Sequence, residues 1–294
     1  MTFPPGILLV DKPVGPTSHD VVSRIRKAAG IRRVGHAGTL DPFASGLLLL
    51  LLGQATRLSE YLLALDKRYE ATARLGIETS THDSEGEVVT EERDWTSLSR
   101  ADVERALAGF EGSILQAPPR FSAKKVRGEA AHRRVRRGEE VALAPVEVTI
   151  HSISLLGLAG PELRFQVRCS SGTYVRALAR DLGRVLGVGA HLTGLVRTGI
   201  GTFDLGASAP LDDLPDRASV EDRLIHPAAA LSHMPSVTVG AYDVVKLRQG
   251  QSVAIEGDQR PEGETVGVLF NGDLLAVGTI QGGRIRPRKV LADG

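Results

Sequence analysis

The stretch Val34–Leu47, VGHAGTLDPFASGL, and the unbroken leucine run Leu47–Leu52 decide how this chain folds. The leucine run is too apolar to be a solvated loop, so it predicts a segment that is anchored in the core. The glycines before it let the backbone approach a ligand closely, and Pro42 stiffens the turn next to Asp41. We therefore expect the carboxylate of Asp41 to project from a turn that the core anchors. A lone aspartate in this position suits nucleophilic or base chemistry better than metal binding.

The alternative for Asp41 is a purely structural role, because Asp-Pro is a common turn initiator. A second segment, CSSGTYVR at residues 169–176, favours chemistry. It leaves a strand, turns at glycine and opens a helix that we expect Thr173 to cap. Arg176 then lies in the first helical turn, where the helix dipole does not favour a cation, so we expect a dedicated anionic partner. Pairing with Asp41 would keep that carboxylate ionised, whereas the alternative for Arg176 is a surface cation.

Length and composition describe an ordinary globular protein. The chain has 294 residues, a formal net charge of +1, 42% hydrophobic and 24% charged residues. This length predicts one large domain, or one large and one small domain. No secretory signal opens the chain, and its longest apolar run is far below the ~20 residues of a membrane span. The single cysteine, Cys169, excludes an internal disulfide and a cysteine zinc cluster. We expect a cytoplasmic protein with no membrane contact.

The basic residues are concentrated in three clusters, at Arg24–Arg33, Arg120–Arg137 and Arg284–Lys289. The middle cluster holds eight lysines or arginines against one acid, Glu129. Charge runs are often no more than solvated faces. Three separate clusters in a nearly neutral chain favour a local anion-binding surface instead, because the distribution of charge matters more than its sum.

The periodicities of the chain predict an α+β fold. Strands are expected at Gly6–Val10, Tyr69–Leu75, Val141–Leu156, Leu163–Cys169 and His191–Val196. A first helix is expected from a cap at Thr17 or Ser18 to Gly30. Further helices are expected at Arg57–Leu65, Ser99–Leu107 and Thr173–Leu186. Strands and helices interleave without strict βαβ alternation, which favours a mixed, mostly antiparallel sheet flanked by helices. We expect a catalytic domain at residues 1–232, with a basic excursion at about 118–140, and a small β-rich domain at residues 233–294.

Tyr69 follows two basic residues at the start of a predicted strand. Tyrosines in such positions often serve as core or cross-strand packers, yet an aromatic ring beside basic side chains also suits stacking on a nucleobase. His36 has no metal ligands at useful spacing, so we expect it to contact backbone or RNA. Residues 199–201, Gly-Ile-Gly, are too short for a dinucleotide fingerprint, and the sequence has no phosphate-binding loop of the G-x-x-x-x-G-K-[ST] type.

These segments, taken together, resemble the bacterial tRNA pseudouridine-55 synthases, the TruB family. The matching pieces occur in family order and span about the first 200 residues. They are LLVDKP at 8–13, GHAGTLDP at 35–42, DKRY at 66–69, PPRFSAKK at 118–125, SGTYVR at 171–176 and GAHL at 189–192.

The resemblance implies a fold and an activity. It implies a catalytic domain with a mixed sheet and a C-terminal PUA-like domain that binds RNA. It also implies an isomerase that converts one uridine of the tRNA T-loop to pseudouridine without a cofactor. The implied partner is the T-arm of tRNA, with no obligatory protein partner, and the implied state is a monomer.

The resemblance also implies roles for individual residues. Asp41 would be the nucleophile, Tyr69 would stack on the target uracil and take part in proton transfer, and Arg176 would pair with Asp41. The positions implied to contact the substrate are Lys12, His36, Gly38, Tyr174, Leu195, Lys124, Lys125 and Arg127, where residues 120–137 match a loop that closes over bound RNA.

Three positions depart from the family pattern. Phe121 and His132 stand where the family often has tyrosine, so hydrogen bonds from those hydroxyl groups are not expected. Val196 stands in place of a common arginine, which would remove one phosphate contact. None of the three is Asp41, Tyr69 or Arg176.

Two other classes of function remain open at this point. One is a protein that binds or folds tRNA and whose catalysis is incidental, since basic segments and a small β domain would serve it equally well. The other is a hydrolase that uses Asp41 with His36, which would consume water and change the mass of its product. The joint presence of Asp41, Tyr69 and Arg176 favours the synthase, because binding alone does not need a carboxylate that faces RNA.

Overall fold

The computed structural model describes residues 3–119, 125–126, 129–130, 137, 143–255 and 260–291. The predicted RNA contacts Lys124 and Arg127 lie outside the described residues, as do Phe121 and His132. Only the backbone of Lys125 is described.

Seventeen strands are present in the described parts of the chain: β1 (Gly6–Lys12), β2 (Val34–His36), β3 (Ser45–Leu52), β4 (Lys67–Leu75), β5 (Gly112–Gln116), β6 (Lys125–Val126), β7 (Glu129–Ala130), β8 (Val146–Ala159), β9 (Glu162–Cys169), β10 (Ala190–Ile200), β11 (Phe203–Asp204), β12 (Ala209–Pro210), β13 (Ser236–Thr238), β14 (Val253–Ala254), β15 (Thr265–Phe270), β16 (Asp273–Gln281) and β17 (Arg284–Val290). The helices are α1 (Ser18–Ala29), α2 (Ser59–Leu63), α3 (Arg100–Ala108), α4 (Val175–Val185), α5 (Arg217–Glu221), α6 (Pro227–Ala230) and α7 (Ala241–Arg248), with 3₁₀ turns at Gly53–Leu58, Leu205–Ala207 and Leu211–Asp213. None of the helices described here has the length and apolarity needed to cross a bilayer.

A large mixed sheet organises most of these strands. Its order is β12-β1-β3-β10-β4-β9-β8-β5, with β2 paired to β3 and β11 paired to β10. The β1–β12 and β3–β10 pairs are parallel. The pairs β4–β10, β4–β9, β8–β9, β5–β8, β2–β3 and β10–β11 are antiparallel. The predicted α+β fold with a mixed, mostly antiparallel sheet is confirmed.

The chain divides into two compact units. The first unit consists of Met1–Leu40, Leu47–Leu63 and Gly206–Gly294, and the second consists of Asp41–Gly46 and Ala64–Leu205. The predicted boundary between residues 232 and 233 stays a prediction.

In the first unit, the leucine run forms most of β3. All six leucines from Leu47 to Leu52 are fully buried. Strand side chains alternate between faces, so a strand that is buried on both faces needs a continuous apolar run rather than an alternating one. Leu48, Leu50 and Leu52 share one core with α1, β1 and residues 209–220. The expectation that the run is anchored in the core is confirmed.

Helix α1 begins and ends as its sequence predicts. Thr17 accepts a hydrogen bond from the backbone of Asp20, and the Asp20 carboxylate accepts one in return from the backbone of Thr17, which forms a capping box. Gly30 ends the helix in the left-handed conformation, at φ 67°.

Strands β13 to β17, in the first unit, form a separate five-stranded sheet with the order β13-β15-β16-β17-β14. This sheet has its own apolar core, to which α7 contributes Val244 and Leu247. The expected C-terminal β-rich domain is therefore present as a sheet with one helix.

In the second unit, β4 lies between β10 and β9. Ala71, Ala73 and Leu75 of β4 are buried, while the alternate positions are at least partly exposed. Helix α4 packs against β10 and β4. The sheet therefore presents the row of β4 that contains Tyr69 on its covered face.

Three predicted elements need correction. Helix α4 begins at Val175, with Tyr174 as its cap residue and no side-chain cap bond, because the Thr173 hydroxyl donates to the Ser170 carbonyl at 2.9 Å instead. The predicted helix at Arg57–Leu65 is a 3₁₀ turn, Gly53–Leu58, that continues into the short α2. Strand β10 extends to Ile200, beyond the predicted end at Val196, because β4 pairs with it along almost its whole length.

Gly46 provides a test of how closely β3 and β10 approach each other. Its φ is +99°, and an added Cβ would lie 2.5 Å from the carbonyl oxygen of Arg197. Gly46→Ala is therefore expected to lower the free energy of unfolding by about 3 kcal/mol or more, measured by urea denaturation. Gly112 is a matched control, because its φ is +97° and nothing lies within 4 Å of the added Cβ. Gly112→Ala should cost only about 1–2 kcal/mol. Equal losses for the two variants would contradict the close approach.

Candidate active site

The Asp41 turn is held at both of its ends. Leu40, the residue before it, donates its backbone N–H to the buried Ser18 hydroxyl at 2.8 Å, and that hydroxyl donates back to the Leu40 carbonyl at 3.1 Å. The Asp41 carbonyl accepts the backbone N–H of Ala44 at 3.1 Å, with Pro42 at the second position of the turn. Asp41 is thus a turn residue, as its alternative interpretation holds, but its side chain has a further partner.

That partner is Arg176, which α4 presents from its first turn. The start of α4 is fixed by Gln116, an almost fully buried residue at the end of β5. Its side-chain oxygen accepts the Tyr174 N–H at 2.8 Å, and its amide donates to the Tyr174 carbonyl at 3.1 Å. Gln116 therefore satisfies the backbone N–H of the cap residue and ties the start of α4 to β5.

The guanidinium of Arg176 lies between two carboxylates. Its Nε is 3.0 Å from Oδ2 of Asp41, and its Nη1 is 2.9 Å from Oδ2 of Asp83. The Arg176 side chain is 7% exposed and that of Asp83 is 2% exposed, whereas Asp41 keeps 38% exposure. Arg176 is therefore not a surface cation. The expected ion pair with Asp41 is present, and a buried carboxylate that the sequence analysis missed holds the far side of the guanidinium.

Asp83 is built into a turn at residues 79–86. Its carboxylate accepts the Thr81 hydroxyl and, at 3.0 Å, the backbone N–H of Glu85. The turn is attached to β10, where Leu192 donates its N–H to the carbonyl of His82 at 3.0 Å. His82 has a φ of 63°, which is unusual for a residue other than glycine. Burial, reinforced by neighbouring arginines, lowers the pKa of His82 to about 4, so the ring is neutral near pH 7.

Tyr69 lies on β4 directly opposite Arg197 of β10. Arg197 is 1% exposed, and its guanidinium donates a hydrogen bond to the phenol oxygen of Tyr69. Leu195 lies two residues earlier on β10, opposite Ala71, so it shares the face of the sheet that carries Tyr69. Asp41, Tyr69, Arg176 and Leu195 therefore all lie in the second unit, where Asp41 pairs with Arg176 and Tyr69 lies opposite Arg197.

Charges near Tyr69 influence its ionisation. Burial raises the pKa of the phenol, the charge and hydrogen bond of Arg197 oppose that rise, and the charge of Asp41 makes only the smallest contribution. Lys67, two residues earlier on β4, is also buried. Burial, followed by the nearby charge of Arg197, lowers the pKa of Lys67 to about 8. Tyr69 is accordingly a neutral phenol near pH 7.

The other predicted contacts are placed as follows. Tyr174 is half-buried at the start of α4. Lys12, in the first unit, is fully buried, and its ammonium group donates to the carbonyls of Pro13 and Pro16 at 2.8 Å each, so it supports its own turn. His36 lies on β2 opposite Leu50, and Gly38 follows it with a φ of 114°. Roles for these residues in substrate binding stay predictions.

The described residues contain no group of three or more His, Cys, Asp or Glu side chains that could hold a metal ion. Cys169 is buried in β9, and burial raises the pKa of its thiol to about 11. Its thiol is therefore protonated near pH 7 and does not act as a nucleophile.

Two residues of this site were not found from the sequence, although each left a signal. Asp83 lies in an acidic stretch whose composition is typical of a solvated face, yet the surrounding Thr79, Thr81 and Gly86 form a turn that can bury a carboxylate. Arg197 occupies an inward position of a strand, where a charged residue needs a specific partner.

Comparisons with known proteins identify the family of this chain. The family model described as TruB family pseudouridylate synthase (N terminal domain) matches residues 26–175, and that described as tRNA pseudouridylate synthase B C-terminal domain matches residues 176–232. A tRNA pseudouridine synthase B of Thermobifida fusca is 43% identical over 98% of both chains. One of Symbiobacterium thermophilum is 46% identical over 85% of this chain and 83% of its own.

Solved structures with the same fold include a Cbf5-Nop10-Gar1 complex, which matches with a TM-score of 0.76 and 27% identity over 97% of this chain and 84% of that chain. Another is an H/ACA RNP bound to a substrate RNA that contains 2'-deoxyuridine, with a TM-score of 0.75 and 26% identity over 98% of this chain and 85% of that chain.

Fold and sequence together define the class of protein as the pseudouridylate synthases, isomerases that act on the uridines of RNA. Within that class, the chain belongs to the TruB family. The resemblance drawn from the sequence motifs is therefore confirmed, and the reaction is isomerisation of uridine in tRNA.

Asp83 supplies a test of the two-carboxylate arrangement. Asp83→Asn is expected to lower the free energy of unfolding by about 2–4 kcal/mol, because it leaves the buried side of the Arg176 guanidinium without a charged acceptor. Turnover should fall as well, since Arg176 is then free to move away from Asp41. Urea denaturation and pseudouridine formation under single-turnover conditions measure the two effects.

Asp181→Asn is the matched control for this variant. Asp181 also pairs with a buried arginine of α4, Arg180, at 2.8 Å, but it is 29% exposed itself. Because water screens an exposed carboxylate, the loss of stability should stay below about 1 kcal/mol. Equal losses of stability and turnover for the two substitutions would show that Asp83 has no special role.

Proposed function

We propose that this protein converts a uridine of the tRNA T-loop, at position 55, to pseudouridine, with Asp41 as the nucleophile and without a cofactor. The observation that supports this proposal best is the half-exposed Asp41 carboxylate, 3.0 Å from a buried guanidinium. A surface ion pair would be screened and mobile, whereas this carboxylate is oriented from behind and keeps an edge toward solvent.

The chemistry needs little beyond a positioned carboxylate. Isomerisation breaks the bond between N1 of the base and C1′ of the sugar, and it forms a bond between C5 and C1′. C5 loses a proton and N1 gains one, so nothing is oxidised or hydrolysed. Asp41 can attack the sugar, attack the ring, or promote elimination across the sugar, and each path uses an ionised carboxylate. The detached base must stay in the pocket while it turns.

The surrounding side chains fit this sequence of events. A uridine inside a folded loop is out of reach, so the nucleotide is flipped out at a cost of a few kcal/mol. Stacking of the extruded uracil on the ring of Tyr69, worth about 1–3 kcal/mol, offsets part of that cost. Arg176 orients Asp41, and Leu195 provides an apolar wall that excludes water from the detached base.

The substrate contacts proposed outside this centre follow the sequence. They are Lys12, His36, Gly38, Tyr174, Lys124, Lys125 and Arg127, of which the side chains of the last three lie outside the described residues. The C-terminal sheet would serve as a PUA-like RNA-binding domain. We place the protein in the cytoplasm, where tRNA is modified, and expect it to act as a monomer.

One face of the C-terminal sheet fits an RNA backbone. Arg284, Arg286 and Arg288 alternate along β17 and are exposed, while Ile285 between them is buried. Their hydrogen bonds go to the neutral acceptors Ser252, Gln281 and Thr279. Among the described residues, none of the three arginines forms an ion pair. Such a row of uncompensated cations at alternate positions of one strand suits contacts with successive phosphates.

The role of Asp41 is tested by Asp41→Asn. Pseudouridine formation should fall roughly 10⁴-fold or more, because the amide is not a nucleophile. The Kd for unmodified tRNA should change by less than about threefold, since the carboxylate is not expected to contribute to binding. Base-by-base mapping of modified tRNA measures the first quantity, and filter binding measures the second.

Asp204→Asn is the matched control, because Asp204 pairs with Arg68 at 3.3 Å and is largely exposed. It should leave both quantities unchanged. Pseudouridine made by a clean Asp41→Asn preparation would refute the role of Asp41 as the nucleophile. Tight tRNA binding by the wild-type protein without modification would favour a tRNA-folding protein.

The β17 row is tested by salt dependence. Replacing Arg284, Arg286 and Arg288 together by glutamine should weaken tRNA binding and make the slope of log Kd against log salt shallower by about 2–3, since each phosphate contact contributes about 0.7–0.9. Replacement of all three by lysine keeps the charge and should keep the slope. Turnover at saturating tRNA should be unaltered in both variants. An unchanged slope in the glutamine variant would remove this face from the RNA interface.

A further inference from the structure

Arg197 is a buried cation in the second unit that the proposed reaction does not yet use. Its backbone is held from both sides, because β10 pairs with Gly46 of β3 on one edge and with Tyr69 of β4 on the other. Position 46 has no room for a side chain beside Arg197, since a Cβ added to Gly46 would lie 2.9 Å from the backbone nitrogen of Arg197. The position of Arg197 relative to Tyr69 is therefore set by the sheet itself and not by a flexible loop.

The side chain of Arg197 points to the same face as Tyr69, because directly opposed residues in an antiparallel pair share a face. Its guanidinium donates to the phenol oxygen of Tyr69. Arginine has donors only and stays charged throughout the accessible pH range. The phenol oxygen must therefore accept from Arg197, and the hydroxyl proton of Tyr69 must point away from the guanidinium.

Three other groups interact with Tyr69 or lie near it on the strand, but none of them donates a hydrogen bond to its phenol oxygen. Asp41 acts on it through its charge and favours the neutral phenol. Burial raises the pKa of Cys169 to about 11, so near pH 7 its thiol is protonated and carries no charge that acts on the phenol. The ammonium group of Lys67 donates to the carbonyl of Leu65. Of these neighbours, Arg197 alone donates a hydrogen bond to the oxygen.

We propose that Arg197 is a positioning residue for Tyr69. Its hydrogen bond fixes the ring plane and directs the hydroxyl group away from the sheet, so that the ring is ready before the extruded uracil arrives. A ring fixed in this way loses no rotational freedom when the base stacks on it, which is the advantage of preorganisation. This inference rests on the proposed function, because it assigns Arg197 to the same stacking step.

The test is a double-mutant cycle. Tyr69→Phe keeps the ring but removes the oxygen that Arg197 holds, and Arg197→Met removes the donor at similar volume. Each single variant should slow pseudouridine formation under single-turnover conditions by about 10–100-fold. In the Tyr69→Phe background, Arg197→Met should slow the reaction by less than about twofold further, because the interaction is already absent. Arg197→Lys, which keeps a donor, should recover part of the rate.

A second measurement needs no RNA. The ionisation of Tyr69 is followed by the ultraviolet difference between the wild-type protein and Tyr69→Phe as pH rises. Arg197→Met should move the pKa of Tyr69 upward, because the phenolate loses its cationic donor. Arg74→Met is the matched control: Arg74 lies on the same strand and pairs with the exposed Glu92 at 3.4 Å, so it should move neither the rate nor the pKa.

Each outcome decides the matter. Multiplicative rate losses in the cycle, or an unchanged pKa of Tyr69 in Arg197→Met, would overturn the proposal. If Arg197→Met does not fold, the same cycle and titration with Arg197→Lys answer the question, since an altered donor must still change both readouts. Failure of the Asp41 experiment is distinguishable, because the phenol titration can detect the Arg197–Tyr69 interaction when no pseudouridine is made.

Discussion

The second unit depends on one buried guanidinium that is shared by two carboxylates of different exposure. Removing Arg176 from water costs several kcal/mol, and only close, well-oriented acceptors compensate for that cost. Asp83 provides one such acceptor from inside the fold, and Asp41, which is partly exposed, provides the other. The inner ion pair fixes the cation, so the outer carboxylate is oriented without being buried. A carboxylate held in this way is oriented and still reaches solvent, whereas full burial would disfavour its charged form and full exposure would leave it mobile.

The signals that pointed to the Asp41–Arg176 ion pair were local ones. Asp41 is followed by proline and then by the leucine run, and Arg176 lies where a helix opens after glycine, so each could be identified within a few residues of sequence. The strand that carries Tyr69 showed the alternation of a half-covered sheet, and a cap of α1 was expected at Thr17 or Ser18. The large mixed sheet followed from the order of such elements, and the family motifs added the reaction.

The features that were missed depend on contacts between distant parts of the chain. Asp83 and Arg176 are 93 positions apart, and no local pattern distinguishes a buried acid of this kind from the exposed acids around it. Arg197 was overlooked because its partner is on a neighbouring strand, and strand register cannot be derived from either strand alone. The assignment of the helix cap to Thr173 was wrong for the same reason, since the group that satisfies the helix start is Gln116, from β5. Local sequence indicates which conformations a segment favours, whereas its contacts with distant parts of the chain decide which of them it adopts.

The first unit is discontinuous along the chain, and this has a consequence during synthesis. Leu48, Leu50 and Leu52 complete their core with residues 209–220, which leave the ribosome roughly 160 residues later. At about 5–20 residues per second, the leucine strand waits roughly 10–30 s for its last cover. Six adjacent leucines without a charge are prone to self-association while they remain uncovered. The nascent chain therefore needs shelter at this segment, from a chaperone or from early pairing with β1 and α1, before translation reaches the end of the protein.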